Sequence, residues 1–103
     1  MKYIADAYAS KNDNQAALHY YQRARLLEGI KEDIDLQSDI CCSVAKLYIK
    51  SENLDSALFS ANLGLAYANV VQQKMRIRDA YHVLAQIYHA KNEFNTAAKC
   101  YQL

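Results

Sequence analysis

Cysteines and histidines are the residues of this chain that could most readily bind a metal or act as nucleophile and base. Cys41 and Cys42 are adjacent, and adjacent helical positions point about 100° apart, so a shared metal ion suits them poorly. Together with Cys100 they form neither a disulfide framework nor a spaced metal motif. We therefore expect small, buried or half-buried side chains in a reducing compartment.

The histidines His82 and His89 are seven positions apart, which corresponds to two turns, or about 10 Å, along one helix. Two histidines of one helix that bind the same metal need the i, i+4 spacing instead. We interpret both as surface histidines, with a pH-sensitive contact as the alternative.

No motif of the chain indicates catalysis. The sequence has no glycine-rich phosphate loop and no H-E-x-x-H segment. Cys42 and His82 could act as nucleophile and base if the fold brought them together, but no feature of the sequence would activate the thiol or orient the imidazole. The sequence therefore predicts a protein that is not an enzyme and that uses no cofactor or metal.

The composition limits the classes of partner and compartment. Twelve basic and eleven acidic residues nearly cancel, so no general attraction to nucleic acid or to anionic membranes is expected. No apolar run approaches the roughly 18 residues of a membrane helix. We expect a soluble chain, cytoplasmic or, if it is a piece of a sensor protein, periplasmic. Its 103 residues, with two glycines and no proline, indicate one all-helical domain.

Small and aromatic residues recur every forty positions. The columns are Ala5, Ala45 and Ala85, then Tyr8, Tyr48 and Tyr88, then Ala17, Ala57 and Ala97. A fixed period of this size is typical of stacked helical repeats. We expect each alanine to mark a close helix crossing and each tyrosine to fill the space between repeats. Gly64 predicts a still closer approach of two helices.

Apolar residues at helical spacing predict six helices. Their approximate ranges are 1–9, 15–28, 33–51, 54–68, 72–90 and 94–103. Gly29 and Asn69 are expected to end the second and fourth helices, since both tolerate a left-handed backbone. The helices that begin near 14, 54 and 94 are expected to be capped or opened by Asp13, Asn53 and Glu93. The basic run 74–78 is interpreted as a solvated first turn.

The columns resemble the pattern of the tetratricopeptide repeats, with a large residue, an apolar-small pair, a tyrosine, and later small and aromatic positions. The three copies read Met1, Ile4, Ala5, Tyr8, Ala17, Tyr21, Ala24; Cys41, Val44, Ala45, Tyr48, Ala57, Ala61, Gly64; and Tyr81, Leu84, Ala85, Tyr88, Ala97, Tyr101. The period is 40 residues where the family has about 34. That length resembles the long repeats of bacterial signalling proteins.

The resemblance implies an α-α superhelix of antiparallel helix pairs, with about two and a half repeats at approximately 1–30, 33–70 and 72–103. No polar capping helix is visible, so Ala97, Tyr101 and Leu103 are expected to leave an apolar end exposed. We therefore expect the single domain 1–103 to belong to a longer array or to self-associate through its repeat ends.

In this family the first helix of each repeat lines a concave groove, where ligands usually bind. The stripe beside the core positions of these helices is the predicted ligand groove. Its residues are Lys2, Asp6, Asp39, Cys42, Lys46, Ile49, Asp79, His82, Gln86 and His89. Lys2 also matches the first lysine of the carboxylate clamp that some members use. Asp6 would repel a carboxylate, so the clamp is not expected.

The function that the resemblance implies is non-catalytic binding of a protein or peptide segment in this groove. Three alternatives stay open. The stripe could be a solvated helix face without a ligand. The chain could be a sensing or regulatory segment of a bacterial signalling protein, such as a sensor kinase or a transcriptional regulator. It could also be a structural oligomerisation spacer.

Overall fold

The computed structural model describes residues 2–27 and 32–91, and most of them are helical. The helices of this part are α1 (Lys2–Ser10), α2 (Asn14–Leu26), α3 (Ile34–Lys50), α4 (Leu54–Val71) and α5 (Lys74–Ala90). The predicted all-helical class is confirmed. The predictions for the sixth helix and for Gly29, Glu93, Ala97, Cys100, Tyr101 and Leu103 fall outside the described residues.

The connections after α1 and α3 have the same backbone structure, forty residues apart. Asn12 and Glu52 adopt left-handed conformations, with φ of 62° and 61°. In each connection the next amide donates to a tyrosine carbonyl at 2.9 Å, that of Tyr8 in the first and that of Tyr48 in the second. This pattern satisfies a carbonyl that the last helical turn leaves without a partner.

The helices that follow these turns begin with the predicted side-chain caps. Asp13 Oδ1 accepts from the amide of Ala16 at 3.2 Å, and Asn53 Oδ1 accepts from that of Ser56 at 3.4 Å. Asp33 caps α3 in the same way. Each cap satisfies an amide that the first turn cannot pair internally. The short connections turn the chain back, so α1 packs on α2 and α3 packs on α4.

The predicted break at Asn69 is wrong. Helix α4 continues to Val71, and Gln72 ends it in a left-handed conformation with φ of 54°. The buried face of α4 extends as far as Ala68, which is fully buried. Tertiary packing of this face outweighs the weak preference of an asparagine for a turn, so the helix does not end there.

Two hydrophobic clusters form the core of the described residues. The first joins α1, α2 and α3 and contains Ala5, Ala17, Tyr21, Ala24, Ile40, Val44 and Leu47. The second joins α3, α4 and α5 and contains Cys42, Ala45, Ala57, Ala61, Ala80, Val83, Leu84 and Ile87. The predicted crossing alanines at 5, 17, 45, 57 and 85 are all fully buried. Tyr48 packs against both clusters, as expected of a side chain between repeats.

Gly64 marks a close approach of α4 to α3, as predicted. A Cβ at this position would lie 3.1 Å from Sγ of Cys42 and 3.3 Å from Cβ of Cys41. Ser38 of α3 donates its hydroxyl to the carbonyl oxygen of Gly64 at 2.9 Å. The short distance between the two helices therefore accounts for a glycine in the middle of α4, despite its low helix propensity.

Candidate functional site

A line of charged side chains joins α1, α3 and α5. Lys2 Nζ lies 3.1 Å from Oδ2 of Asp6 on its own helix and 3.2 Å from Oδ2 of Asp39 on α3. The other oxygen of Asp39, Oδ1, lies 3.3 Å from Nη1 of Arg76 on α5. Asp39 therefore connects three helices that belong to successive copies of the forty-residue sequence pattern.

Arg76 is held by a second carboxylate as well. Its Nε lies 2.9 Å from Oδ1 of Asp35, and its Nη2 lies 3.4 Å from Oδ2. The hydrogen bond to Asp35 is the main cause that raises the pKa of Arg76 above its ordinary value. For Lys2, burial alone would lower the pKa, but hydrogen bonds to Asp6 and Asp39 raise it. Both side chains therefore stay protonated over the whole neutral range.

Helix α2 is connected to the same line through a buried tyrosine. The hydroxyl of Tyr21 donates to Oδ1 of Asp6. Burial first, and then this hydrogen bond to a carboxylate, raise the pKa of Tyr21 well above its ordinary value of 10.0. The phenol therefore stays neutral and acts as a hydrogen-bond donor. We call the set Tyr21, Asp6, Lys2, Asp39, Arg76 and Asp35 the charged network.

Three members of the charged network were not among the predicted groove residues: Tyr21, Asp35 and Arg76. The interpretation of the run 74–78 as a solvated turn is wrong for Arg76, which is half-buried and contacts two carboxylates. A signal was present, because Asp35 lies four positions before Asp39 and Arg76 three before Asp79. Both spacings continue the predicted stripe by one helical turn.

Cys42 was predicted to line the groove, but the structure places it in the hydrophobic core. Its side chain is 6% exposed and belongs to the cluster of α3, α4 and α5, so it is a core residue. Burial, with smaller effects of Cys41, Asp79 and Asp39, raises the pKa of its thiol to about 11, and Lys46 acts in the opposite direction. The charged residues of the stripe thus lie near Cys42, but the thiol itself is covered.

The other predicted groove residues lie at the surface of their helices. Lys2, Asp6 and Asp39 are half-buried, and Lys2 contacts both aspartates. Lys46 of α3 is exposed, and Ile49 is half-buried against the second cluster. The predicted residues of α5 are all exposed: Asp79, His82, Gln86 and His89.

The chemistry that this surface can perform is polar recognition. Within residues 2–27 and 32–91, no group of three histidine, cysteine or carboxylate residues could hold a metal ion. The buried thiol of Cys42, with its raised pKa, is a poor nucleophile. Lys2, the residue that fits a carboxylate clamp, already contacts two carboxylates and has little attraction left for a third.

Within residues 2–27 and 32–91, no helix combines the length and the apolar character that crossing a bilayer requires.

A family model described as tetratricopeptide repeat matches residues 79–103, within the third copy of the forty-residue pattern. No curated protein and no solved structure matches the chain. Repeats of this family commonly mediate contacts between proteins and are generally non-catalytic. The match, the helix pairs and the buried alanine columns agree with one another. Residues 79–103 therefore match a tetratricopeptide repeat, and the part of the chain that the structure describes has an all-helical fold of the same kind.

Proposed function

We propose that the chain binds a peptide or protein segment along the face formed by its first helices α1, α3 and α5. We call this the first-helix face. Its residues are Lys2, Asp6, Asp39, Lys46, Ile49, Asp79, His82, Gln86 and His89, the predicted groove without Cys42. The proposal includes the division of the chain into repeats at approximately 1–30, 33–70 and 72–103.

The observation that carries this proposal is the charged network. It ties α1, α3 and α5 together through side chains, and Asp39 contacts residues of both neighbouring helices. A face whose elements are already held in place loses less conformational entropy when a ligand binds. Next to the network, the polar residues of α3 and α5 on this face are exposed, and Ile49 adds a half-buried apolar side chain.

The charges of the first-helix face favour a mixed-polarity ligand over a peptide C-terminus. Lys2 and Arg76 are each paired with two carboxylates, so the network carries three acidic groups for two basic ones. Lys46 is the exposed cation of α3 on this face. A ligand with an acidic side chain opposite Lys46 and hydrogen-bonding groups opposite α5 would be complementary.

Peptides selected from a random display library against the wild-type chain test the proposal. The double variant Lys46→Glu, His89→Ala should weaken the selected peptides at least about tenfold, measured by calorimetry. Its matched control is Arg23→Glu, His19→Ala, which makes the same two changes on exposed positions of α2. Equal loss in both variants would refute binding at the first-helix face.

The sensor hypothesis remains the alternative function. In that case the chain is a regulatory segment whose output domain lies elsewhere in the protein. The sequence encoded next to this segment discriminates, because a membrane helix with a kinase, or a DNA-binding helix pair, would favour the sensor. A spacer without a ligand would yield no peptide in the selection above.

A further inference from the structure

A second recessed surface lies between α2 and α4, with α3 as its floor. Two adjoining depressions share Gln22 and Arg25. One has a volume of about 520 Å³ and reaches Leu26 and Tyr67, and the other has about 350 Å³ and reaches Phe59. Volumes of this size are typical of sites that take a side chain or a small ligand. We call this surface the second-helix crevice.

Arg25 is held in a defined orientation in the second-helix crevice. Its Nε donates to Oε1 of Gln37 at 3.0 Å, and Nε2 of Gln37 donates back to the carbonyl oxygen of Arg25 at 3.0 Å. Gln37 is itself buried in α3, so it is a fixed support. The two terminal nitrogens of the guanidinium are not used in this exchange.

Among the described residues, Arg25 differs from the half-buried cations Lys2 and Arg76 in its ion pairing. Lys2 and Arg76 each contact two carboxylates, whereas no carboxylate of the described residues lies within ion-pairing distance of Arg25. Asp55 lies at the far end of the crevice, but its side chain is 95% exposed and pairs with Lys91. The crevice thus offers an oriented, partly desolvated guanidinium that no carboxylate of residues 2–27 and 32–91 neutralises.

Large apolar side chains stand beside this guanidinium. Leu26 is 71% exposed and Phe59 is 72% exposed, one on each of the two helices that border the crevice. The half-buried rings of Tyr48 and Tyr67 line its walls. A half-buried arginine beside exposed apolar side chains is the kind of surface patch that marks a protein-interaction site.

We propose that the second-helix crevice binds an acidic segment of a partner protein, in which an aspartate or glutamate stands next to an apolar side chain. The carboxylate accepts from the two terminal nitrogens of Arg25, and the apolar side chain packs against Phe59 and Leu26. This surface is formed by α2, α3 and α4, so it is separate from the first-helix face and does not depend on the proposed function there.

The test uses two display libraries of short peptides that differ in one respect. In one, every peptide carries a glutamate next to a leucine or phenylalanine, and in the other a lysine replaces that glutamate. The wild-type chain should enrich peptides from the first library only. Phe59→Ser should weaken the enriched peptides at least about tenfold, and Met75→Ser, at a position that is 68% exposed, should leave them unchanged.

Charge reversal at Arg25 tests the proposed ion pair between its guanidinium and the carboxylate of the partner. Arg25→Glu should abolish binding of the peptides that Phe59→Ser weakens, and it should allow enrichment from the lysine library. This change also removes the hydrogen bond from Arg25 to Gln37 and could disturb the packing of α2. The surface variant Phe59→Ser should not disturb folding, so it provides an independent test. The proposal is overturned if neither library is enriched, or if Phe59→Ser and Met75→Ser have equal effects. It is also overturned if the enriched peptides lose affinity only in Lys46→Glu, His89→Ala, an outcome that would leave the first-helix face supported.

Discussion

At the scale of single residues, Cys42 shows how burial changes the properties of a side chain. Helix α3 has neighbours on several sides, so Ile40, Cys41 and Cys42 are buried although they are consecutive. A helix on the edge of a bundle would expose at least one of three adjacent positions. The thiol of Cys42 is therefore part of the packing around Gly64, and its chemistry is suppressed.

We expect the thiol of Cys42 to react slowly. In a variant with Cys41→Ala and Cys100→Ser, alkylation by iodoacetamide should be at least about 100-fold slower in the native protein than in urea. The reason is that only the thiolate reacts, and a pKa of about 11 instead of 9.0 leaves little of it. Mass spectrometry of timed samples measures the rate. Native and unfolded rates within a factor of ten would show that Cys42 is accessible, as the sequence pattern predicts.

The stability of the fold should depend on Tyr21 in a way that changes with pH. The pKa of Tyr21 is raised in the folded state, so its contribution is complete below about pH 10 and is lost as the pH rises further. Tyr21→Phe should cost about 1–2 kcal/mol near pH 8, because the hydrogen bond to Asp6 is lost. Above about pH 10 the difference between the two proteins should shrink. Urea titrations across this range, with Tyr3→Phe as the exposed control, measure it. A difference that stays constant with pH would contradict the prediction.

At the scale of the helical elements, the two tight connections show which parts of the repeat are encoded locally. Positions 12 and 52 both require a left-handed backbone, and both are exposed. Asn12 suits this conformation, because asparagine tolerates it better than most residues. Glu52 does not, so the second connection retains some strain that the packing around it overcomes.

Exchanging these two residues should therefore have opposite effects. Glu52→Asn is expected to raise the stability by roughly 0.5 kcal/mol, or about 2–4 °C in the unfolding midpoint, and Asn12→Glu to lower it by a similar amount. Thermal unfolding followed by circular dichroism measures both variants. Because the side chains are exposed, changes of the same sign would mean that something other than backbone conformation controls these turns.

At the scale of the whole molecule, the described part ends on one side with an exposed helix face. Tyr3, Ile4, Ala7, Tyr8 and Lys11 of α1 line a shallow depression of about 400 Å³. Tyr3 and Ile4 are exposed, although both are large and apolar. Stacked repeats bury such a face against a neighbouring repeat. This face is therefore the described surface best suited to the self-association that the sequence predicts.

Sedimentation over a wide concentration range tests this assignment. We expect the weight-average mass of the wild type to rise with concentration and that of Tyr3→Lys to stay at the monomer value, since a charge would be buried in the contact. Val70→Lys, at another exposed apolar position, is the control and should behave like the wild type. A wild type that remains monomeric, or equal effects of the two variants, would exclude association through α1.

The sequence by itself determined the repeat architecture. The alanine and tyrosine columns, the caps Asp13 and Asn53 and the close approach at Gly64 were all predictable. These features depend on residues a few positions apart or on exact recurrence, and both are visible in a linear sequence. The residue at which α4 ends was not predictable, because packing around the buried Ala68 extends the helix and no local sequence signal marks its end.

Only the tertiary structure decided which polar residues act together. Asp39 is 37 positions from both Lys2 and Arg76, and these three meet because α1, α3 and α5 are stacked side by side. The same stacking covers Cys42 and leaves Arg25 in a crevice where none of the described carboxylates pairs with it. A rotation of one helix by a single position would move a side chain about 100° around the axis. Periodicity fixes such an angle too loosely to separate a core position from its neighbour on the surface, whereas packing against several helices selects one angle.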